Sequence, residues 1–150
     1  MLHFEFQTWI QASPEKVWAF HEREDIFELL APPGGKPEVL VRKGKLHTGS
    51  RVEFLVPSLG PLKVKWLALH VHHEEGLSFT DEQIRGPFRY WLHEHRFEPE
   101  NGGTRLVDRI RCSLPLGSVS DWVAGWVVGL QVRSMFRHRH AVTKRMCEGG

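Results

Sequence analysis

At 150 residues, with 41% apolar and 25% charged residues and a formal net charge of +2, the chain has room for one domain spanning 1–150, which buries roughly 70% of its unfolded surface. Near-neutral charge argues against a nucleic-acid grip built on a basic face, and two widely separated cysteines, Cys112 and Cys147, argue against a disulfide scaffold and fit the cytoplasm. Ten histidines are the compositional outlier, and free imidazole titrates near pH ~6.5.

Residues 2 to 11 alternate in polarity from the first position, which predicts a strand and lacks the basic-then-apolar layout of a signal peptide. In "ASPEKVWAFHERE" a capping serine precedes a proline at the first helical position, so a helix is expected from about Pro14 with Val17, Trp18 and Phe20 buried. A second short helix, "EDIFELLA", ends at "PPGGKP", which cannot continue it. Period-2 alternation then predicts strands over Glu38–Arg42, Arg51–Pro57, Leu62–His73, Leu77–Arg85, Phe88–Glu98 and Thr104–Leu114. Every connection is short, which favours an antiparallel meander. The remainder predicts a helix of about thirty residues, its apolar positions Val119, Trp122, Val123, Trp126, Val127 and Leu130 at helical spacing and its end basic. The longest uncharged apolar-rich run, Trp122 to Val132, is shorter than the roughly 18 residues of a membrane span.

A seven-stranded antiparallel sheet has one apolar face, and the only element large enough to cover it is the terminal helix. A sheet curled around a straight rod meets it along a line, which leaves space between them.

The faces of the strands follow from charge. Arg105, Arg109 and Arg111 belong in water, which turns Leu106, Asp108, Ile110 and Cys112 inward. In "FRYWLHEHRFEP", Glu94 and Arg96 take the outside, so Trp91, His93, His95 and Phe97 point in. A short hairpin register then sets Asp108 opposite or diagonal to His93 or His95, where it fixes a tautomer or raises an imidazole pKa. Phe79 belongs inside and carries Asp81 and Gln83 with it; lysines 63 and 65 send Val64, Trp66, Ala68, His70 and His72 inward and strand Leu67, Leu69 and Val71 outside. Such an outer apolar stripe means either that the faces are assigned the wrong way round or that a second copy of the chain covers it. His138 and His140, set among Arg137 and Arg139, read as a solvated helix end.

"IQASPEKVWAFH", "FTDEQIRGPFRYWLHEHRFEPENGGTRLVDRI" and "MFRHRH" resemble the START-like, or SRPBCC, superfamily: the first its strand and helix entry, the other two a small stand-alone bacterial subgroup related to domains fused to nucleoside-diphosphate-sugar epimerase-like proteins. The resemblance implies an α+β helix-grip fold: a seven-stranded curved antiparallel sheet wrapped around a long C-terminal helix, with two short helices after the first strand. It also implies a cavity for a hydrophobic or amphipathic small molecule, such as a lipid, quinone or polyketide-like compound. It does not by itself imply a reaction.

The ligand-lining set expected is Trp66, Phe79, Asp81, Gln83, Trp91, His93, His95, Phe97 and Asp108 from the sheet, with Trp122, Trp126 and Leu130 from the helix. A carrier or sensor needs nothing more than this. A cyclase- or dehydratase-type enzyme would use His93 or His95 as acid/base with Asp108 as orienter, and a protein-interaction module would use the Leu67, Leu69 and Val71 stripe. "HVHH", "HEH" and "HRH" pair imidazoles in the manner of metal ligands, yet Val107 stands where a cupin needs glycine. No metal and no cofactor are expected. There is no GxSxG nucleophile and no phosphate-binding loop, and the expected partner is a small molecule, with no nucleic acid.

Overall fold

The computed structural model describes residues 1–32, 38–43, 48–57 and 62–149. Its elements run β1 (Leu2–Ile10), α1 (Pro14–His21), α2 (Ile26–Leu29), β2 (Glu38–Lys43), β3 (Arg51–Pro57), β4 (Lys63–Glu74), β5 (Ser78–Arg85), β6 (Tyr90–Glu100), β7 (Gly103–Ser113) and α3 (Ser118–Glu148). The breaks expected at 33–37, 44–47 and 58–61 lie outside the described residues. The strands form one antiparallel sheet in the order β1-β7-β6-β5-β4-β3-β2, so the first strand returns to pair with the last. Ser13 caps α1 by accepting a hydrogen bond from the Lys16 amide at 3.2 Å. The helix-grip architecture expected from the resemblance is present.

Two apolar cores divide the space between sheet and helices. One gathers Val17, Trp18 and Phe20 of α1 with Phe79, Phe97 and Leu106 of the sheet and Val142 and Cys147 near the end of α3. Trp18 meets Phe79 and Phe97 edge-on at centroid distances of 5.7 and 5.1 Å. The other joins Trp91, Ile110 and Cys112 to Val132 and Phe136 of α3, with Phe4 and Phe6 packed alongside. Along β6 the inward positions run Trp91, His93, His95, Phe97, and along β7 they run Ile110, Asp108, Leu106. The polar residues therefore form a layer between the two cores.

The buried face of α3 differs from the one expected. It consists of Asp121, Gly125, Gly129, Val132, Phe136, His140, Val142, Thr143 and Cys147, whereas Trp122, Trp126 and Leu130 are 87, 68 and 59% exposed. Close approach decides this: the glycines let the helix settle on β1, where a Cβ at Gly125 would stand 2.9 Å from a Leu2 methyl and one at Gly129 3.4 Å from the Phe4 ring. In β4 the pairing skips Val71, His70 facing Asp81 and His72 facing Thr80. That bulge reverses the alternation, so His72 is exposed, contrary to expectation, and His73 turns in against Trp18 at 5.4 Å. Leu67, Leu69 and Val71 are half-buried in the isolated chain. Arg51, Glu53, Glu82 and Arg85 pair directly with the two leucines across the sheet.

Gly103 is the glycine whose replacement matters most for the sheet. A Cβ there would run into the Ile10 carbonyl oxygen and come within 2.8 Å of the Trp9 ring. Gly103→Ala should lower the stability by about 1–3 kcal/mol, the usual cost of overpacking, as a shift of the urea midpoint; an unchanged midpoint would contradict the packing of β1 on β7.

Candidate functional site

The layer between the cores is built on two carboxylates. Asp108 is 4% exposed and lies directly opposite His95 in the β6–β7 register. The diagonal neighbour, His93, donates from Nε2 to Asp108 Oδ1 at 2.6 Å, and His140 of α3 donates from Nε2 to Oδ2 at 2.6 Å. His140 Nδ1 faces the Thr8 hydroxyl at 2.7 Å, so with Nε2 carrying the proton it accepts from that hydroxyl. Asp108, expected within reach of one of the two β6 histidines, reaches both.

His95 links the two acids. Its Nε2 donates to Asp81 Oδ2 at 3.1 Å, while its Nδ1 stands 3.0 Å from Asp108 Oδ1. His70 approaches the same Asp81, with Nδ1 2.9 Å from Oδ1, but neither of its ring nitrogens is aligned for a hydrogen bond. The resulting chain runs His70, Asp81, His95, Asp108, and then branches to His93 and His140.

Burial and charge pull these groups apart in pKa. Burial disfavours the imidazolium of His93 and, with the positive charge of His95 beside it, outweighs Asp108 to bring it down to about 4. His21, buried against Val17 and 6.3 Å from the His95 ring, is lowered by burial to about 3. Burial opposes protonation of His95 as well, but there the two carboxylates win and its pKa rises. Burial tends to raise Asp108 and Asp81, and the surrounding imidazoles overcome it to hold both carboxyls below their usual range. Arg139, lowered by burial and supported by both acids, lies over the Phe136 ring at 5.2 Å. The burial of Asp81 and Asp108 is offset by the imidazoles around them and, at longer range, by the Arg139 guanidinium. Asp81, His93 and His95 also bring one ligand atom each within 4.8 Å of one another, a two-histidine, one-carboxylate set that could hold a metal ion; within the set only His95 Nε2 and Asp81 Oδ2 are hydrogen-bonded to each other, while His93 Nε2 is taken by Asp108.

Beside the second core lies an aromatic wall. Trp66 stacks on Phe54 at 6.1 Å, meets Trp91 edge-on at 5.2 Å and Phe88 at 5.7 Å. Phe54, Trp66 and Phe88 are half-buried, and Phe27 of α2 extends the row at 5.6 Å from Phe54. Gln83 holds the corner by donating to the Phe88 carbonyl at 2.7 Å and accepting from its amide at 3.3 Å.

The expected site residues thus fall into separate groups. His93, His95, Asp108 and Asp81 come together as one network; Trp66 and Trp91 form the wall, which Gln83 braces; Phe79 and Phe97 are packed into the first core under Trp18. Trp122, Trp126 and Leu130 stand apart from all of these on the outer side of α3. A groove of about 390 Å³ runs between Leu2 and Phe4 on one side and Trp126 and Leu130 on the other. His140 and Arg139 were expected in solvent; the structure brings His140 to Asp108, while Arg139 is half-buried over the Phe136 ring. The available signal was the helical spacing of His140 to Phe136 and Val132. His138 is half-buried and donates to the Ala31 carbonyl at 3.1 Å.

The family model described as "Polyketide cyclase / dehydrase and lipid transport" matches residues 10–136. Among solved structures, TTHA0849 from Thermus thermophilus superposes with a TM-score of 0.71 at 21% identity, covering 95% of this chain and 97% of that one. Protein Ms6760 from Mycobacterium smegmatis gives 0.70 at 16%, covering 97% and 90%. A nucleoside-diphosphate sugar epimerase from Corynebacterium glutamicum gives 0.68 at 23%, covering 95% of this chain but 28% of that larger one. These likenesses speak to fold. No curated protein matches the sequence significantly.

Proposed function

Because the chain belongs to the polyketide cyclase / dehydrase and lipid transport family, we propose that it binds a hydrophobic or amphipathic small molecule against the wall of Phe54, Trp66, Phe88 and Trp91, as a carrier or sensor. The observation that carries this reading is the half-buried state of three of those four aromatics. Large rings left partly open beside a packed core offer apolar area that a ligand covers at low cost in conformational entropy.

A cyclase or dehydratase reading would assign proton transfer to His93 or His95 with Asp108. Accessibility favours binding over that chemistry. The two rings are 5 and 4% exposed, and His93 Nε2 and His95 Nε2 are engaged with carboxylates, whereas an acid/base must reach the proton it moves.

Titration with 1-anilinonaphthalene-8-sulfonate, followed by competition with fatty acids and quinones, tests the proposal. Trp66→Ala should weaken probe binding by about tenfold, the loss of ~1.4 kcal/mol of contact, while Trp122→Ala should leave it unchanged. Failure of the native protein to bind the probe, together with native mass spectra free of any co-purifying organic molecule, would sink the reading.

A further inference from the structure

The apolar side of α3 that the fold leaves uncovered is unusual in size and in chemistry. Val119, Trp122, Val123, Trp126, Val127 and Leu130 are between 41 and 87% exposed, and Leu116, just ahead of the helix, is 85% exposed. The two indoles alone present on the order of 150 Å² or more each, so the patch exceeds the few hundred Å² of contiguous apolar surface that a soluble monomer ordinarily shows. Leu116 is held at φ 74°, a left-handed conformation that a bulky non-glycine residue rarely adopts. Its side chain projects into solvent rather than toward a core.

Charge identifies the occupant. From Ser118 to Cys147 the only acidic residue is Asp121, and it is buried, accepting from the Ser113 hydroxyl at 2.9 Å and the Leu114 amide at 2.6 Å. The exposed side of the helix from Val119 to Ala141 is therefore apolar, neutral or cationic throughout. Arg89 reaches the N-terminal end of the stripe beside Gly117, and Arg133 and Arg137 stand at its other end, both exposed. Arg133 lies over the Phe4 ring at 5.7 Å, on the rim of the groove that Trp126 and Leu130 line. Tryptophans bracketed by arginines, with no exposed acid between them, match the interface of an anionic bilayer, where indole sits at headgroup depth and guanidinium meets phosphate. A second copy packed on the same stripe would bring like charges together instead.

We propose that the first half of α3, with Leu116, is a docking face for an anionic lipid surface. The protein lies on that surface and does not enter it: no helix among the described residues is long and apolar enough to cross a membrane. This inference stands independently of ligand binding at the aromatic wall.

Co-sedimentation with vesicles of phosphatidylcholine containing a quarter phosphatidylglycerol tests it. The protein should pellet with these vesicles, less with pure phosphatidylcholine, and less as salt rises. The double variant Trp122→Ser, Trp126→Ser should lose at least about tenfold in vesicle affinity, and Arg133→Glu should lose the preference for the anionic lipid. All three positions are exposed, so far-UV circular dichroism should be unchanged. Absence of sedimentation with either vesicle overturns the proposal. So does a dimer in light scattering that the double serine variant converts to monomer, since the stripe would then belong to a second copy.

Discussion

Asp108→Ala should lower the unfolding free energy by about 3–5 kcal/mol, the range for removing one member of a buried, hydrogen-bonded charge group. Native stabilities lie at about 5–15 kcal/mol, so the variant should be marginal at 37 °C. The cause is what remains behind. His93 and His140 would each keep an Nε2–H with no acceptor, and His95 would keep only one, Asp81, of the two carboxylates that favour its charged form. Urea unfolding of Asp108→Ala beside Asp25→Ala, whose carboxylate pairs with Arg23 at the surface, separates this effect from the loss of any acid; the surface change should leave the urea midpoint almost where it was. Asp108→Asn should fall between the two, since its amide oxygen can accept one hydrogen bond while its NH₂ confronts the other donor. A loss below ~1 kcal/mol for Asp108→Ala would show that the layer is not structural and would reopen the acid/base reading.

Most of the sheet was legible because charge and period agree along it. On β7, Arg105, Arg109 and Arg111 take one side, which places Asp108 inside without further information, and a short turn then brings it to His95. β4 resisted for the opposite reason. Lysines 63 and 65 set the phase correctly at its start, but the bulge at Val71 shifts that phase by one residue, and no glycine or proline marks the place. On α3 the error came from treating apolarity as burial. The helix turns glycines and an aspartate toward β1 because the contact needs a short separation, and leaves tryptophans outside. Helical spacing places Val132, Phe136 and His140 on one side, yet a histidine flanked by two arginines reads as solvated unless the carboxylate opposite is known to be buried. That knowledge belongs to the tertiary structure. Asp108 and its ring partners come from β7, β6 and α3, which only the complete fold brings together.

Stability should pass through a maximum above the unfolded imidazole pKa of ~6.5 and fall steeply on the acid side, by about 3 kcal/mol for each of two histidines between pH ~6.5 and ~4. His21 and His93, whose folded pKa values burial depresses to about 3 and about 4, take protons in the unfolded chain below ~6.5 but refuse them in the folded one. The unfolded state then binds more protons, so stability declines as pH drops through that window. His95 has the opposite sign. The carboxylates of Asp108 and Asp81 outweigh burial and raise its folded pKa, so its contribution is complete below ~6.5 and is lost as pH rises through that raised value. Asp81 and Asp108, both depressed in the folded protein against the push of burial, contribute stability above the unfolded value of ~3.9 and lose it as pH falls through their folded pKa values. These terms follow one another along the pH axis rather than cancelling, which yields a single maximum. Urea midpoints measured from pH ~4.5 to ~8 should trace it, and His93→Gln should reduce the acid slope by about one proton. A profile that is flat below pH ~6.5 would mean that these histidines are protonated in the fold, and the pairing of neutral His93 with ionised Asp108 would be wrong.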